Sequence, residues 1–292
     1  MFRGTFTALV TPFRNGDVDL AALEKLVEAQ IAAGITGVVA VGTTGESPTL
    51  THDERETVIR KCVEIARDRC TVLAGTGSYS TRDAIEATQS AEKLGVKGAL
   101  VVAPYYNKPS QEGLFRHFKA IAEATALPVM LYNIPGRCGV DIGADTVVRL
   151  AGACKNIMSI KEASGSVERV SELRARLPDA FTILSGDDSL TLPFMAVGAV
   201  GVVSVASNLL PSEVCALVRA FASGDAKSAQ QLHRRLFQLF KDLFIEPNPV
   251  PVKTALAWRG AMSGEVRLPL CEMTEANEAR LRKTLEAFEK SK

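Results

Sequence analysis

Residues 19–42 read DLAALEKLVEAQIAAGITGVVAVG. The first part places Leu20, Leu23, Leu26 and Val27 at helical spacing and stops at Gly34, a common helix terminator. Gly37–Gly42 then forms a short, continuously apolar run, as a strand buried on both faces should. The same alternation recurs along the chain. Strand-like runs lie at Phe6–Pro12, Thr71–Gly75, Gly98–Ala103, Pro128–Asn133, Ile157–Glu162, Phe181–Ser185 and Val200–Val205. Amphipathic segments separate them, such as SEVCALVRAFASG at 212–224. Eight units at roughly 25 to 30 residues apiece predict an α/β fold, an eight-stranded parallel β/α (TIM) barrel. An open doubly wound sheet would need fewer strands and a Gly-rich phosphate loop. Gly75-Thr76-Gly77 only begins such a loop, because Ser80 holds the place of the third glycine. It reads as a tight turn.

After Ser223 the pattern changes. Helical stretches at about 225–245, 251–263 and 274–290 follow with no strand between them. This predicts a C-terminal three-helix appendage, with domains at 1–224 and 225–292. The link Glu246-Pro247-Asn248-Pro249-Val250-Pro251 is too proline-rich to be a flexible tether.

Bulk properties narrow the function. The 292 residues are 47% hydrophobic, enough for a substantial core. Lys and Arg number 34 against 33 Asp and Glu, a net charge of +1. That balance argues against a nucleic-acid partner and favours small metabolites. The N-terminus MFRGTFTALVTPF lacks a secretory signal pattern, and no run of eighteen apolar residues suggests a membrane span. Cys62, Cys70, Cys138, Cys154, Cys215 and Cys271 form no C-x-x-C pair, which suggests free thiols in a reducing cytoplasm and no zinc site. His52, His117 and His233 all fall in helical segments, so no metal cluster is expected. Asp187-Asp188 reads as a cap for the following helix rather than as a metal pair. Neither a G-x-S-x-G elbow nor a P-loop occurs.

Active sites of β/α barrels form at the C-terminal strand ends. Lys161 is the sharpest signal there, because it follows Ile157-Met158-Ser159-Ile160 inside a buried strand. Two readings stand side by side: a nucleophile, or a structural ion pair with Glu162 or Asp187. Neighbours along a strand face opposite ways, so Glu162 is a poor partner. A desolvated amine lowers its pKa; moving it from ~10.4 to ~7–8 takes about 3 to 5 kcal/mol. The neutral amine can then attack a ketone to form an imine. Lys97 and Lys155 precede strands, at the other rim, and most of the remaining lysines read as solvated helix residues. Tyr132 ends the adjacent strand, where a phenol could shuttle protons or simply pack. Thr43-Thr44 sits in a Gly-flanked turn able to hold an anion. Arg137, in a Pro-Gly loop, could clamp a carboxylate. Each of these has an ordinary structural reading, but their placement at one rim favours a shared site.

The motifs VGTTGESPTL (41–50), AGTG (74–77), PYYNKPSQEGL (104–114), LYNIPGRCG (131–139), IKEASG (160–165), LSGDD (184–188) and EPNPVPVK (246–253) give the chain a resemblance over nearly its whole length. It resembles the dihydrodipicolinate synthase family, within the pyruvate-dependent class I aldolase superfamily that also holds N-acetylneuraminate lyase and 2-keto-3-deoxy-sugar acid aldolases. The resemblance implies a lyase in which Lys161 forms a Schiff base with pyruvate. It implies proton transfer by Tyr132, and a hydroxyl relay completed by Thr44 and by Tyr106 across a tight-dimer interface. It further implies that Thr43 and Thr44 hold the pyruvate carboxylate, and that Arg137 receives the carboxylate of aspartate semialdehyde. Gly186 and Val203 would line the imine pocket. No cofactor is implied, and the assembly would be a homotetramer of two tight dimers. Sugar-acid aldolase or sialate-lyase activity on the same lysine imine is the alternative. A lysine effector site in the family corresponds to Ser47, His52, Arg55, Tyr79, Asp83 and Tyr105. Arg55 stands where a histidine is usual, Tyr79 where an asparagine is usual and Asp83 where a glutamate is usual. These departures imply weak inhibition by lysine.

Overall fold

The computed structural model describes residues 2–290. Its eight parallel strands are β1 (Gly4–Ala8), β2 (Gly37–Ala40), β3 (Thr71–Gly75), β4 (Gly98–Val102), β5 (Val129–Asn133), β6 (Ile157–Glu162), β7 (Thr182–Ser185) and β8 (Gly201–Ser204). Each pairs with its sequence neighbours, and β8 returns to β1, closing the barrel. The closure pairs Gly4 with Gly201 and Phe6 with Val203. A Cβ on Gly201 would stand 1.9 Å from the Gly4 carbonyl oxygen, so only glycine permits this approach.

The strands are apolar on both faces because they meet two cores. Phe6, Val39, Leu73, Leu100, Met130, Leu184 and Val203 fill the interior, with Tyr132 among them. The opposite faces, including Val38, Val72, Val101, Leu131, Ile160 and Ile183, pack against the surrounding helices. Those helices start where the sequence supplies caps. Asp19 accepts from the Ala22 amide, and Thr51 and Glu54 form a reciprocal capping box.

Two differences from expectation occur near the N-terminus. The first strand runs Gly4–Ala8 rather than Phe6–Pro12, because the Asn208 amide takes over both Val10 N–H and the Ala8 carbonyl. Beyond it, Phe13–Arg14 and Asp17–Val18 form an unanticipated two-residue hairpin. Its turn, Asn15-Gly16, has both residues at positive φ, as tight hairpins favour.

One irregularity decides which way the site faces. Val129 pairs with Ile157, but Met130 pairs with Ser159, leaving Met158 as a bulge. Ile157 and Ile160 therefore both face the helices. Lys161 in consequence shares its rung with Tyr132, whose ring belongs to the interior. Without the extra residue every later side chain of β6 would change faces, and Lys161 would point at the helices.

Helices Ala226–Asp242, Val250–Trp258 and Glu275–Lys290 form the C-terminal region. The middle one ends at Trp258 rather than near 263. Lys253 is fully buried in it. Its ammonium pairs with Glu46 at 2.6 Å and donates to the Thr11 carbonyl at 2.9 Å. Removing one partner of such a pair costs about 3 to 5 kcal/mol. The contact pins the C-terminal region to the turn after β2, where Glu46 sits at φ +55.

Candidate active site

Lys161 is 4% exposed at the inner end of β6. Its Nζ lies 4.1 Å from the centroid of the Tyr132 ring and makes no ion pair among the described residues. The partners considered from sequence are engaged elsewhere. Glu162, on the outer face, pairs with Arg169 at 2.8 Å. Asp187 accepts from the Ser189 amide and hydroxyl, each at 2.8 Å. Burial pushes the Lys161 amine down to about 7; the charge of Asp188 opposes this and that of Arg137 adds to it. A large fraction of the amine is thus neutral near pH 7, with its lone pair free to attack a carbonyl.

The walls around the amine are close. A Cβ on Gly186 would meet Ala163 Cβ at 2.7 Å and Lys161 Cε at 3.0 Å. Only a glycine leaves the lysine chain room at this point. Val203 is buried in the same interior core, so both expected pocket residues lie beside the barrel axis. The Tyr132 hydroxyl is driven up to about 12 by burial, with the Arg137 charge and a hydrogen bond to Thr43 pulling the other way. It stays protonated at neutral pH.

Asp188 corrects the expectation of a capping pair. Asp187 alone caps the short turn at 188–190. Asp188 is buried and accepts from the Ser204 hydroxyl, the Val205 amide at 3.0 Å and the Ala206 amide at 2.9 Å. Burial lifts its own pKa to about 6. It stitches the exit of β7 to the exit of β8 and sets a negative charge near Lys161.

Thr44 is 2% exposed, and its hydroxyl accepts from Asn248 Nδ2 at 3.0 Å. The Asn248 carbonyl in turn accepts from Arg137 Nη2 at 3.2 Å. Thr44 and Arg137, read independently from sequence, are thus joined through one residue of the C-terminal link. Asn248 carried no signal of its own beyond its place in the EPNPVPVK text. Tyr106 does not reach these groups within one chain. It is 90% exposed and its backbone sits at φ +73, an uncommon conformation for a bulky residue.

A cavity of about 320 Å³ opens beside the site, its wall including both Thr43 and Tyr132. The same wall carries Ser47, Arg55, Tyr79, Asp83 and Tyr105. Tyr79 meets Tyr105 edge-on, with ring centroids 5.4 Å apart. Arg55 turns inward, donating to the Ser47 carbonyl at 2.7 Å. His52 does not join this group; it lies exposed on its helix and pairs with Glu56 at 3.2 Å.

No group of three or more His, Cys, Asp or Glu side chains among the described residues could hold a metal ion. Among the same residues no helix is long and apolar enough to cross a membrane. All six cysteines are unpaired.

The family model described as "Dihydrodipicolinate synthetase family" matches residues 1–288. The chain belongs to this family. It is 50% identical over 288 residues to the 4-hydroxy-tetrahydrodipicolinate synthase of Endomicrobium trichonymphae, covering 99% of each. It is 49% identical to the synthase of Aquifex aeolicus over 99% of this chain and 98% of the relative. Among solved structures, the synthase of Methylacidiphilum fumariolicum superposes with a TM-score of 0.99 at 57% identity, covering 99% of this chain and 97% of that one. Membership in the dihydrodipicolinate synthetase family makes the chain a lyase of the class I aldolase type, as its motifs implied.

Proposed function

We propose that this chain condenses pyruvate with L-aspartate 4-semialdehyde to give 4-hydroxy-tetrahydrodipicolinate, the first committed step towards diaminopimelate and lysine. The observation that carries the mechanism is Lys161: buried, unpaired, and set beside the Tyr132 ring at 4.1 Å. The neutral Lys161 amine attacks the pyruvate ketone, and the carbinolamine loses water to give a protonated imine. The imine is the electron sink. Loss of a methyl proton then leaves an enamine, which attacks the aldehyde carbon of the second substrate. That substrate's amine displaces Lys161 and closes the ring, returning the enzyme to its starting state. Tyr132 carries protons in these steps, in a relay with Thr44 and with Tyr106 of a second subunit. The turn Thr43-Thr44 receives the pyruvate carboxylate, and Gly186 and Val203 leave the imine its space.

A homotetramer built from two tight dimers fits this relay. An aromatic side chain 90% exposed, held at φ +73, is suited to a subunit contact. Six unpaired cysteines suit a reducing cytoplasm.

Arg137 gives the second substrate its site, because it is an exposed residue on the loop beyond β5 while Lys161 is buried in the barrel. Arg137→Ala should leave pyruvate imine formation nearly intact. It should weaken use of aspartate semialdehyde by about 1.5 to 3 kcal/mol, roughly 10- to 150-fold in kcat/KM. A coupled assay offering pyruvate with aspartate semialdehyde, or with sugar aldehydes in its place, measures this and tests the substrate directly. Equal loss in both half-reactions, or preferred turnover of a sugar aldehyde, would count against the assignment.

Lysine should inhibit weakly. Arg55 faces the cavity and brings a permanent cation to the place where an effector's ammonium would lie. The shorter Asp83 reaches less far, and Tyr79 occupies volume. Initial rates at saturating pyruvate, with lysine raised into the millimolar range, should change little. Half-inhibition well below about one millimolar would show that Arg55 does not have this effect.

A further inference from the structure

The outer face of β5 and β6 carries a buried polar cluster that the reaction described above does not use. Asn133 and Glu162 are both fully buried and lie opposite one another in register. Asn133 Nδ2 donates to Asp141 Oδ1 at 2.7 Å and to the two Glu162 oxygens at 3.1 and 3.2 Å. Its Oδ1 accepts from the Ile142 amide at 3.0 Å. Glu162 also accepts from Arg169 Nε at 2.8 Å and from the Ser164 amide at 2.8 Å. Arg169 donates further to Asp141 at 3.3 Å and to the Ile142 carbonyl. Desolvating the Glu162 carboxylate and most of the Arg169 guanidinium is costly, and apolar side chains of similar volume would commonly stabilise a fold as well or better. Such a cluster therefore points to a requirement for geometry.

The adjoining rung of the same two strands is Tyr132 with Lys161, facing inward. Past Asn133 and Glu162 the strands separate: one enters the short helix Pro135–Cys138, the other a loop. The last ladder contact is the Ala163 amide on the Asn133 carbonyl at 2.9 Å. Beyond that bond it is the side chains of Asn133, Glu162 and Arg169 that join the two exits.

We propose that Asn133, Glu162 and Arg169 are positioning residues for the imine chemistry. They fix the exits of β5 and β6 against each other and so hold the Tyr132 hydroxyl in register with the Lys161 amine. This rests on the roles given above to Lys161 and Tyr132. Proton transfer is sensitive to such placement, since a shift of about 1 Å can cost about 10²-fold in rate.

The test compares Glu162→Gln and Arg169→Lys with the wild-type chain, all full length and well below their melting temperatures. Three quantities are read: borohydride-trapped pyruvate, KM for pyruvate, and kcat. Both substitutions are close in size to the originals. Trapping and KM should stay within about 3-fold of wild type, while kcat falls about tenfold or more. An unchanged kcat with a lowered melting temperature would make the cluster structural only and overturn the proposal. A parallel fall in trapping and kcat would overturn it too, as a general loss of the site. Should Glu162→Gln fail to fold, Arg169→Lys decides alone. A wild-type chain that traps no pyruvate would refute the imine reading itself, and this proposal with it.

Discussion

Lys161→Met is expected to abolish turnover and raise the melting temperature together. Activity should fall by about 10³-fold or more, because no other lysine among the described residues lies beside Tyr132 in the barrel interior. Lys253, the other buried lysine among the described residues, is committed to Glu46 and to the Thr11 carbonyl. The gain in stability follows from the amine's depressed pKa. Burial holds it at about 7, against 10.5 for a free lysine. That difference corresponds to roughly 5 kcal/mol of unfavourable folding free energy while the amine is protonated in both states. The sign fixes the pH window. Below pH 7 wild type carries the whole penalty. Between 7 and 10.5 the folded amine is neutral and the unfolded one still charged, so the penalty shrinks as pH rises. Above 10.5 it is gone. Methionine keeps the apolar length of the side chain without the charge. The variant should therefore melt several degrees higher at pH 6 to 7, with the gap closing towards pH 10. Thermal melts across that range check this. A variant no more stable than wild type at pH 6 would mean that the amine is better solvated than its burial indicates.

Tyr132→Phe should separate imine formation from proton transfer. The phenylalanine ring can keep its place beside Lys161 and in the interior core, so the fold and the nucleophile are retained. What is lost is a hydroxyl that stays protonated, with burial pushing it up to about 12. Removing a positioned acid–base group costs about 10²- to 10⁴-fold in rate. The expected result is near-normal borohydride trapping of pyruvate with kcat reduced by that factor. If kcat stays within threefold of wild type, the proton carrier is another group.

How much of this was legible in the sequence depended on whether each feature is local. The eight strands were, because burial on both faces writes a continuous apolar run, and β1 was misplaced only where Asn208 intervenes from the far end of the chain. Lys161 stood out for the same reason, as a charge inside such a run. The face it points to was not legible. Met158 reads as one more apolar residue, and nothing in the sequence marks it as the bulge that turns Lys161 inward. The hairpin at Phe13–Val18 was missed because two-residue strands carry no periodicity, although Asn15-Gly16 was a usable turn signal. Lys253 and Asn248 failed differently. Their partners Glu46 and Thr44 lie more than 200 residues away, so only the folded chain pairs them. In Asp187-Asp188 two identical residues divide the work: one caps a turn, while the other is buried against β8.

Mapping of the trapped imine decides whether Lys161 is the nucleophile. The wild-type chain is incubated with pyruvate, reduced with borohydride, digested, and its lysines are mapped by mass. A single stable adduct is expected on the peptide containing Lys161, absent when pyruvate is omitted. An adduct on Lys108 or Lys253 instead, or an unlabelled protein that still turns over, would contradict it.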